Sequence, residues 1–421
     1  MDGDLLLDVV VDFSASSVPK LGANSIWASY SLRIHKGRSR TLPYRQDSPQ
    51  KKDGPRQSVP TFKASDAFDL QPLQFKVGEK VTVDTPRLNA VESVNIATRR
   101  QLSELILLLV ESAPKEASVR IGFDFSLGFP KAMALLLGRS LDLKPKSPLT
   151  GTSEEELDLN LGLSLIGSVA SLIVDGGDNS NNRLEVASTL NCLSGLPFFW
   201  GIPNGIKEKR PDLALENYKT PIAEQLELRV VETLVKDINR LYPFSIRQLF
   251  GVGAVGSQSL LGMALVEGLR RELGPDQVAL WPYERGRRRV TIFEIWPSLS
   301  ATKRQLRVDF GQLIDRFSKG GVAIDALETL AVLRQLSWID LEKIENLGEV
   351  VAERYCGDKG HQPDRRGQSD NKEIHSSISL PKDSHQNITM TNGCRPFTEV
   401  EETIMIEGWI GNFLPDSLGQ S

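Results

Sequence analysis

The run Ser118-Val-Arg-Ile-Gly-Phe-Asp-Phe-Ser-Leu-Gly-Phe-Pro130 reads as an apolar strand that carries one carboxylate, Asp124, and breaks straight afterwards at Gly128 and Pro130. A charge in a buried strand is costly unless it is paired or bound to a cation, so Asp124 needs a partner. Two more strand-like runs pose the same problem. Leu5-Leu-Leu-Asp-Val-Val-Val-Asp-Phe-Ser14 contains Asp12, and Val290-Thr-Ile-Phe-Glu-Ile-Trp-Pro297 contains Glu294. Acids on three apolar strands predict one cluster of Asp12, Asp124 and Glu294.

Composition narrows the chemistry. The chain has 421 residues, 40% hydrophobic and 25% charged, enough apolar material for a large core. A net charge of −4 weighs against an avid, sequence-independent binder of nucleic acid. The cysteines, Cys192, Cys356 and Cys394, have no paired spacing, which argues against a disulfide framework and a structural zinc site. Of the histidines, His35 borders a polar stretch and His361, His375 and His385 share one polar tail segment. Ser-His-Asp hydrolysis and His-ligated zinc both need an ordered core histidine, so any chemistry falls to carboxylates, amides, hydroxyls and arginines. The first residues lack the positive flank of a signal peptide and are too short a run to span a membrane, so a cytoplasmic protein with no membrane partner is expected.

Along the chain, a strand over 5–13 and a second over Ser25 to Ile34 form a hairpin, with Asp12 at the turn end. Residues 36–70 turn polar and rich in Pro, Lys, Arg and Gln, an expected disordered insert. Val77 to Val83 is a third strand candidate, and a helix is expected from just after Arg87 to about Glu111. Ser153 and Glu156 have capping-box spacing ahead of a helix to about Ile173, and further helices are expected at Arg183–Leu193, Ile222–Leu241 and Ser257–Leu273. A short helix over Asp309–Phe317 and a mostly apolar one over Val322–Arg334, which carries Asp325, follow. The expected organisation is one domain over residues 1–356, a disordered segment over 357–394, and a last segment, 395–421, that docks back.

Gly251-Val-Gly-Ala-Val-Gly256 has the Gly-x-Gly-x-x-Gly spacing of a dinucleotide fingerprint ahead of a helix. The run before it, Ser245-Ile-Arg-Gln-Leu-Phe250, is too polar for a central parallel strand, so a structural turn or simple anion site is the stronger reading. Each candidate acid also has a plainer explanation. Asp12 beside Ser14 would cap a turn, and Asp124 would accept from Ser126 or backbone N–H groups. Glu294 would pair with an arginine of the Arg285–Arg289 knot, and Asp325 would serve as a first-turn helix acid. The Asp- and Asn-rich run from Asp175 to Glu185 offers Asn182, Arg183 and Glu185, together with Ser14, as substrate-binding candidates or as ordinary loop residues.

In order, the Asp12 hairpin strand, Gly122-Phe-Asp-Phe-Ser-Leu-Gly-Phe-Pro130, Glu294-Ile-Trp-Pro297 and the helix with Asp325-Ala-Leu resemble a family of predicted nucleases with a ribonuclease H-like fold. Asp178-Asn-Ser-Asn-Asn-Arg-Leu-Glu185, Pro197-Phe-Phe-Trp-Gly-Ile-Pro203 and Gly253-Ala-Val-Gly-Ser-Gln258 are similar to a longer subgroup, some of whose members carry cofactor-biosynthesis names. The resemblance implies an α/β fold: a mixed sheet, helices on both faces, and long polar insertions. It also implies that carboxylates on the first strand, a middle strand and a late helix hold Mg²⁺ or Mn²⁺, the roles that Asp12, Asp124 and Asp325 match, with Glu294 as an extra acid. The implied activity is metal-dependent phosphodiester hydrolysis or phosphoryl transfer on nucleic acid or a phosphorylated small molecule. The alternatives are a kinase-like ATP enzyme of the same broad fold and a non-catalytic ligand-binding or scaffold protein.

Overall fold

Three strands, β1 (Asp4–Asp12), β5 (Ser118–Phe123) and β7 (Val290–Glu294), run parallel and side by side, which brings the ends that carry Asp12, Asp124 and Glu294 to one edge of the sheet. The computed structural model describes residues 4–22, 24–35, 78, 80–83, 91–143, 161–214, 227–239, 241–251, 253–284, 288–300 and 324–336. With β2 (Ile26–His35), β3 (Lys80–Val83), β4 (Val91–Ile96) and β6 (Val278–Leu280) they form a seven-stranded sheet in the order β3-β4-β2-β1-β5-β7-β6. The sheet is mixed: β3, β4, β2 and β1 pair antiparallel, whereas β1, β5, β7 and β6 pair parallel.

Its helices are α1 (Arg99–Ser112), α2 (Lys131–Ser140), α3 (Leu161–Leu172), α4 (Arg183–Ser194), α5 (Val230–Asn239), α6 (Val255–Leu273), the single turn α7 (Pro297–Ser300) and α8 (Ile324–Leu336). None of the described helices is long and apolar enough to cross a membrane. The expected helix at 309–317, the Ser153 capping box, and the segments 36–70, 357–394 and 395–421 lie outside the described residues.

One expectation needs correction. The helix expected from just after Arg87 begins only at Arg99, because Val91–Ile96 is a strand paired with β2. The boundary is chemical. Thr98 accepts from the Gln101 N–H and the Gln101 side chain accepts from the Thr98 N–H, a capping box that leaves no route for the helix to extend backwards. Val91 and Val94 are three residues apart with polar Glu92 and Ser93 between them, a spacing that fits a helical face, although all of β4 is buried.

Side chains alternate along β1, and the alternation assigns its residues to two different cores. Leu7, Val9 and Val11 join Leu102, Leu105 and Ile106 of α1 and Leu260 and Leu261 of α6 in the main apolar core. Asp8, Val10 and Asp12 face the other way, toward α8. Helices therefore cover both faces of the sheet. The α8 face is unusually polar: Trp27 packs on Ala326, and Ser29 and Thr329 are hydrogen-bonded at 2.7 Å.

Polar groups also fix the direction of α8. Asp8 accepts from Arg33 Nε at 3.0 Å and from Arg120 Nε at 2.6 Å, and both guanidinium groups donate on to the carbonyl of Leu336 at the last turn of the helix. Burial alone would raise the Asp8 pKa, but Arg120 and then Arg33 outweigh it and hold the carboxyl below its usual range. Two cations at a helix C-terminus also suit its dipole. With its C-terminal end held over Asp8, α8 places its first turn over Asp12.

Candidate functional site

At the carboxyl ends of β1, β5 and β7 the sheet opens into a cavity of about 1000 Å³. Asp12, Asp124 and Glu294 line it, together with Asp325 and Glu328 from α8. Each acid reaches it for a local reason. Asp12 is the last residue of β1; Asp124 follows β5 and is tied to β1 by its N–H to the Val11 carbonyl at 3.0 Å; Glu294 ends β7. Asp325 and Glu328 stand three residues apart and so share one face of α8. Oxygens of Asp12, Asp325 and Glu328 lie within 4.8 Å of one another. Asp325 stands in the first turn of α8, as expected, and also accepts the Asn24 N–H at 2.9 Å, so the first-turn role and the cluster position coexist.

The electrostatics separate these acids into two kinds. Burial first, and then Asp124, Asp325 and Glu328, push the Asp12 carboxyl well above its usual range. Burial, followed by Glu328, Glu294 and Asp325, pushes Asp124 up to about 8. Among the described residues neither carboxylate has a hydrogen-bond or ion-pair partner in its side chain. Like charges in one low-dielectric site cannot all ionise without a counter-ion, so protons hold the cluster together when no cation does.

Glu294 belongs to the second kind. Its oxygens accept from Arg229 Nη2 at 2.6 Å and Nη1 at 2.8 Å, and from the Leu127 N–H at 3.0 Å. The expected pairing with an arginine is present, but the arginine is Arg229, far in sequence from the knot before β7. Arg229 is fully buried and bridges to Glu232 as well, with Ser126 accepting a further hydrogen bond. Burial still raises Glu294 despite this guanidinium. Its charge is thus paired within the protein, and it is Glu328, not Glu294, that stands with Asp12 and Asp325 in the group of carboxylate oxygens within 4.8 Å of one another. Arg289 of the knot instead donates to the carbonyls of Val110 and Ala113 at the end of α1, and Arg288 binds Glu284.

The substrate-binding candidates also divide. Ser14 and Arg183 line the cavity, whereas Asn182 and Glu185 are not among its lining residues. The Asn182 amide is spent closing the end of α3: it donates to the Leu172 carbonyl and accepts from the Val174 N–H. Glu185 is exposed and pairs with Arg210 at 2.7 Å. The loop that presents Ser14 is held by Arg99, which grips Asp175 with two bonds of 2.6 Å and donates to the carbonyls of Ser14 and Ser16.

The glycine motif contributes a wall rather than a nucleotide cradle. Ser245–Phe250 is not a strand; only Gln248 bridges, to Trp200. A Cβ on Gly256 would sit 2.2 Å from the Ile246 carbonyl oxygen, so glycine is required for the loop to close on the helix start. The Val255 and Gly256 N–H groups already bond to Gly253 and Gln248 carbonyls, leaving little of the helix start for a phosphate. Phe244 and Phe250, both about half exposed, stand at the rim of the cavity.

Glu328, Glu232 and Arg229 were not singled out from the sequence. For Glu328 a signal existed, its three-residue spacing from Asp325 on an apolar helix. Arg229 gave none, since it meets Glu294 across 65 residues. Comparison with protein-family models, with curated proteins and with solved structures finds no match.

The raised acids have a pH consequence. A group whose pKa rises on folding binds its proton more tightly in the folded state, so its contribution to stability is complete below the unfolded value and is lost as pH climbs to the folded one. For Asp124 that window runs from the ordinary 3.8 to about 8. In chelator-treated buffer, unfolding free energy should therefore decline steadily between pH 5 and 8. Denaturant melts across this range with a flat or rising profile would show that these acids do not share a site.

Proposed function

We propose that the cavity is a divalent-metal-dependent phosphoryl-transfer or phosphodiester-hydrolysis site on a ribonuclease H-like scaffold. The observation that carries this reading is the convergence of Asp12, Asp325 and Glu328 within 4.8 Å, with Asp124 beside them and no cationic partner for Asp12 or Asp124 among the described residues. The mixed sheet, with acids on its first strand, a middle strand and a late helix, supports the scaffold part of the reading.

The donor set fits a hard cation. All of its atoms are carboxylate oxygens, the preferred ligands of Mg²⁺ and Mn²⁺, with no cysteine or histidine among them. Asp12, Asp325 and Glu328 would hold one ion, and Asp124 would share a second with Asp12. A divalent ion held there would neutralise the charge that builds on a transferring phosphoryl group. The other residues prepare the site. Arg229 fixes the Glu294 carboxylate in the cavity wall and supplies its counter-charge, so that Glu294 needs no cation. The clamp of Asp8, Arg33 and Arg120 on Leu336 sets the height of Asp325 and Glu328 over the strand ends. The half-exposed Phe244 and Phe250 offer apolar surface to a planar part of a phosphorylated substrate.

The test is a titration of Mn²⁺ into the full chain, read by thermal melting and by hydrolysis of bis-p-nitrophenyl phosphate. At 100 times the dissociation constant the ion should add about 2.7 kcal/mol. Asp12→Asn should abolish both the shift and the turnover. No shift in the wild type would leave the acids as a proton-stabilised structural cluster and favour the scaffold alternative.

A further inference from the structure

Arg183, the first residue of α4, lies in the cavity wall, and each hydrogen bond it makes goes to a neutral oxygen. Its Nε donates to Ser257 Oγ at 2.9 Å, and Nη1 donates to Ser17 Oγ at 2.8 Å and Asn181 Oδ1 at 2.7 Å. Nη2 has no partner among the described residues. The nearby carboxylates are engaged elsewhere: Asp175 is gripped at both oxygens by Arg99, and Glu185 is exposed and bound to Arg210. Burial, and then the like charge of Arg99, pull the Arg183 pKa down against Asp175 and Glu185. A half-buried guanidinium whose side-chain hydrogen bonds all go to neutral groups, next to a second cation, has no carboxylate bonded directly to it.

We propose that Arg183 is the anion-positioning residue of this cavity, and that its Nη2 edge binds a phosphate group of the substrate. This rests on the reading of the cavity as the substrate site. A guanidinium edge matches the oxygens of a phosphate, and the three neutral acceptors fix the fork without spending its charge. The glycine-rich turn nearby is a weaker candidate for this work, since Val255 and Gly256 have already used their N–H groups. Arg183 thereby divides the labour with the acids: they would gather cations, and it would gather the anion.

The experiment titrates inorganic phosphate into the metal-free full chain by calorimetry, for wild type, Arg183→Gln, Arg183→Lys and Ser257→Ala. Wild type should bind phosphate, and Arg183→Gln should weaken that binding by about 10-fold or more. Arg183→Lys keeps a charge but loses the fork, and Ser257→Ala frees the Nε, so both should weaken binding by a smaller factor of about 3-fold. The Mn²⁺-induced rise in melting temperature should be the same in Arg183→Gln as in wild type. Wild-type phosphate affinity in a folded Arg183→Gln, or no phosphate binding by wild type, would overturn the assignment. If Arg183→Gln fails to fold, unchanged affinity in both Arg183→Lys and Ser257→Ala overturns it instead. Loss of phosphate binding in Arg183→Gln together with a wild type that ignores Mn²⁺ upholds Arg183 and rejects the metal reading alone.

Discussion

Asp124→Asn should make the metal-free protein more stable at pH 8, by about 2 kcal/mol, and leave it nearly unchanged at pH 4.5. The asymmetry follows from the proton. At the lower pH Asp124 in the folded state is already neutral, because burial and Glu328, Glu294 and Asp325 hold its pKa at about 8, so an amide replaces a group of the same charge. Near pH 8 the wild type must either keep a proton bound or tolerate another negative charge among its neighbours, and the amide removes that conflict. The gain is limited because the carboxyl faces an open cavity, where water relaxes the field. The same variant should lose most of its Mn²⁺-induced stabilisation and slow phosphodiester turnover by about 100-fold or more. Paired melts at both pH values, with and without Mn²⁺, check all of this. A variant that unfolds in chelator at pH 8 would identify Asp124 as a structural acid instead.

The other large effect concerns the buried arginine. Arg229→Met should cost about 3–5 kcal/mol, because it strands the Glu294 and Glu232 carboxylates in the interior without a guanidinium. Burial already raises the Glu294 pKa, and without Arg229 it should rise further and take up a proton more readily, so the loss should be smaller at pH 5 than at pH 8. Adding Glu294→Gln to Arg229→Met should recover part of the stability, since the amide can still accept the Leu127 N–H without a charge to neutralise. Denaturant melts of the two variants measure it. A loss below about 1 kcal/mol in the single variant would place this pair among weak, solvated bridges and remove it as a fixed support of the site.

Much of the sheet was readable before the structure. Continuous apolar runs such as Leu5–Phe13 and Val290–Ile295 leave little choice but buried strands, and Gly and Pro after Phe125 end the third. The hairpin of β1 and β2 followed from the turn residues between them. Val91–Ile96 escaped because Glu92, Ser93 and Asn95 are buried polar residues, and the spacing of Val91 and Val94 fits a helical face. Glu328 escaped for a different reason. Its spacing of three from Asp325 on an apolar helix is a signal, but acids at helical spacing are common, and only packing decides which are lowered onto a strand end.

The sequence by itself determined that Asp12, Asp124 and Glu294 would each need a counter-charge or a proton, because burial of an acid disfavours its charged form wherever the chain buries it. Acids on three apolar strands suggested one cluster, and the parallel pairing of β1, β5 and β7 is what carries their ends to one side of the sheet. Only the tertiary structure decided how each charge is met. Glu294 is matched by Arg229, which arrives from a distant segment, while Asp12 and Asp124 are left facing Asp325 and Glu328. That choice depends on which helix covers which face and in which direction, and so on a clamp of Arg33 and Arg120 on one carbonyl, at Leu336. Such contacts join residues hundreds of positions apart, and short-range pattern contains no record of them.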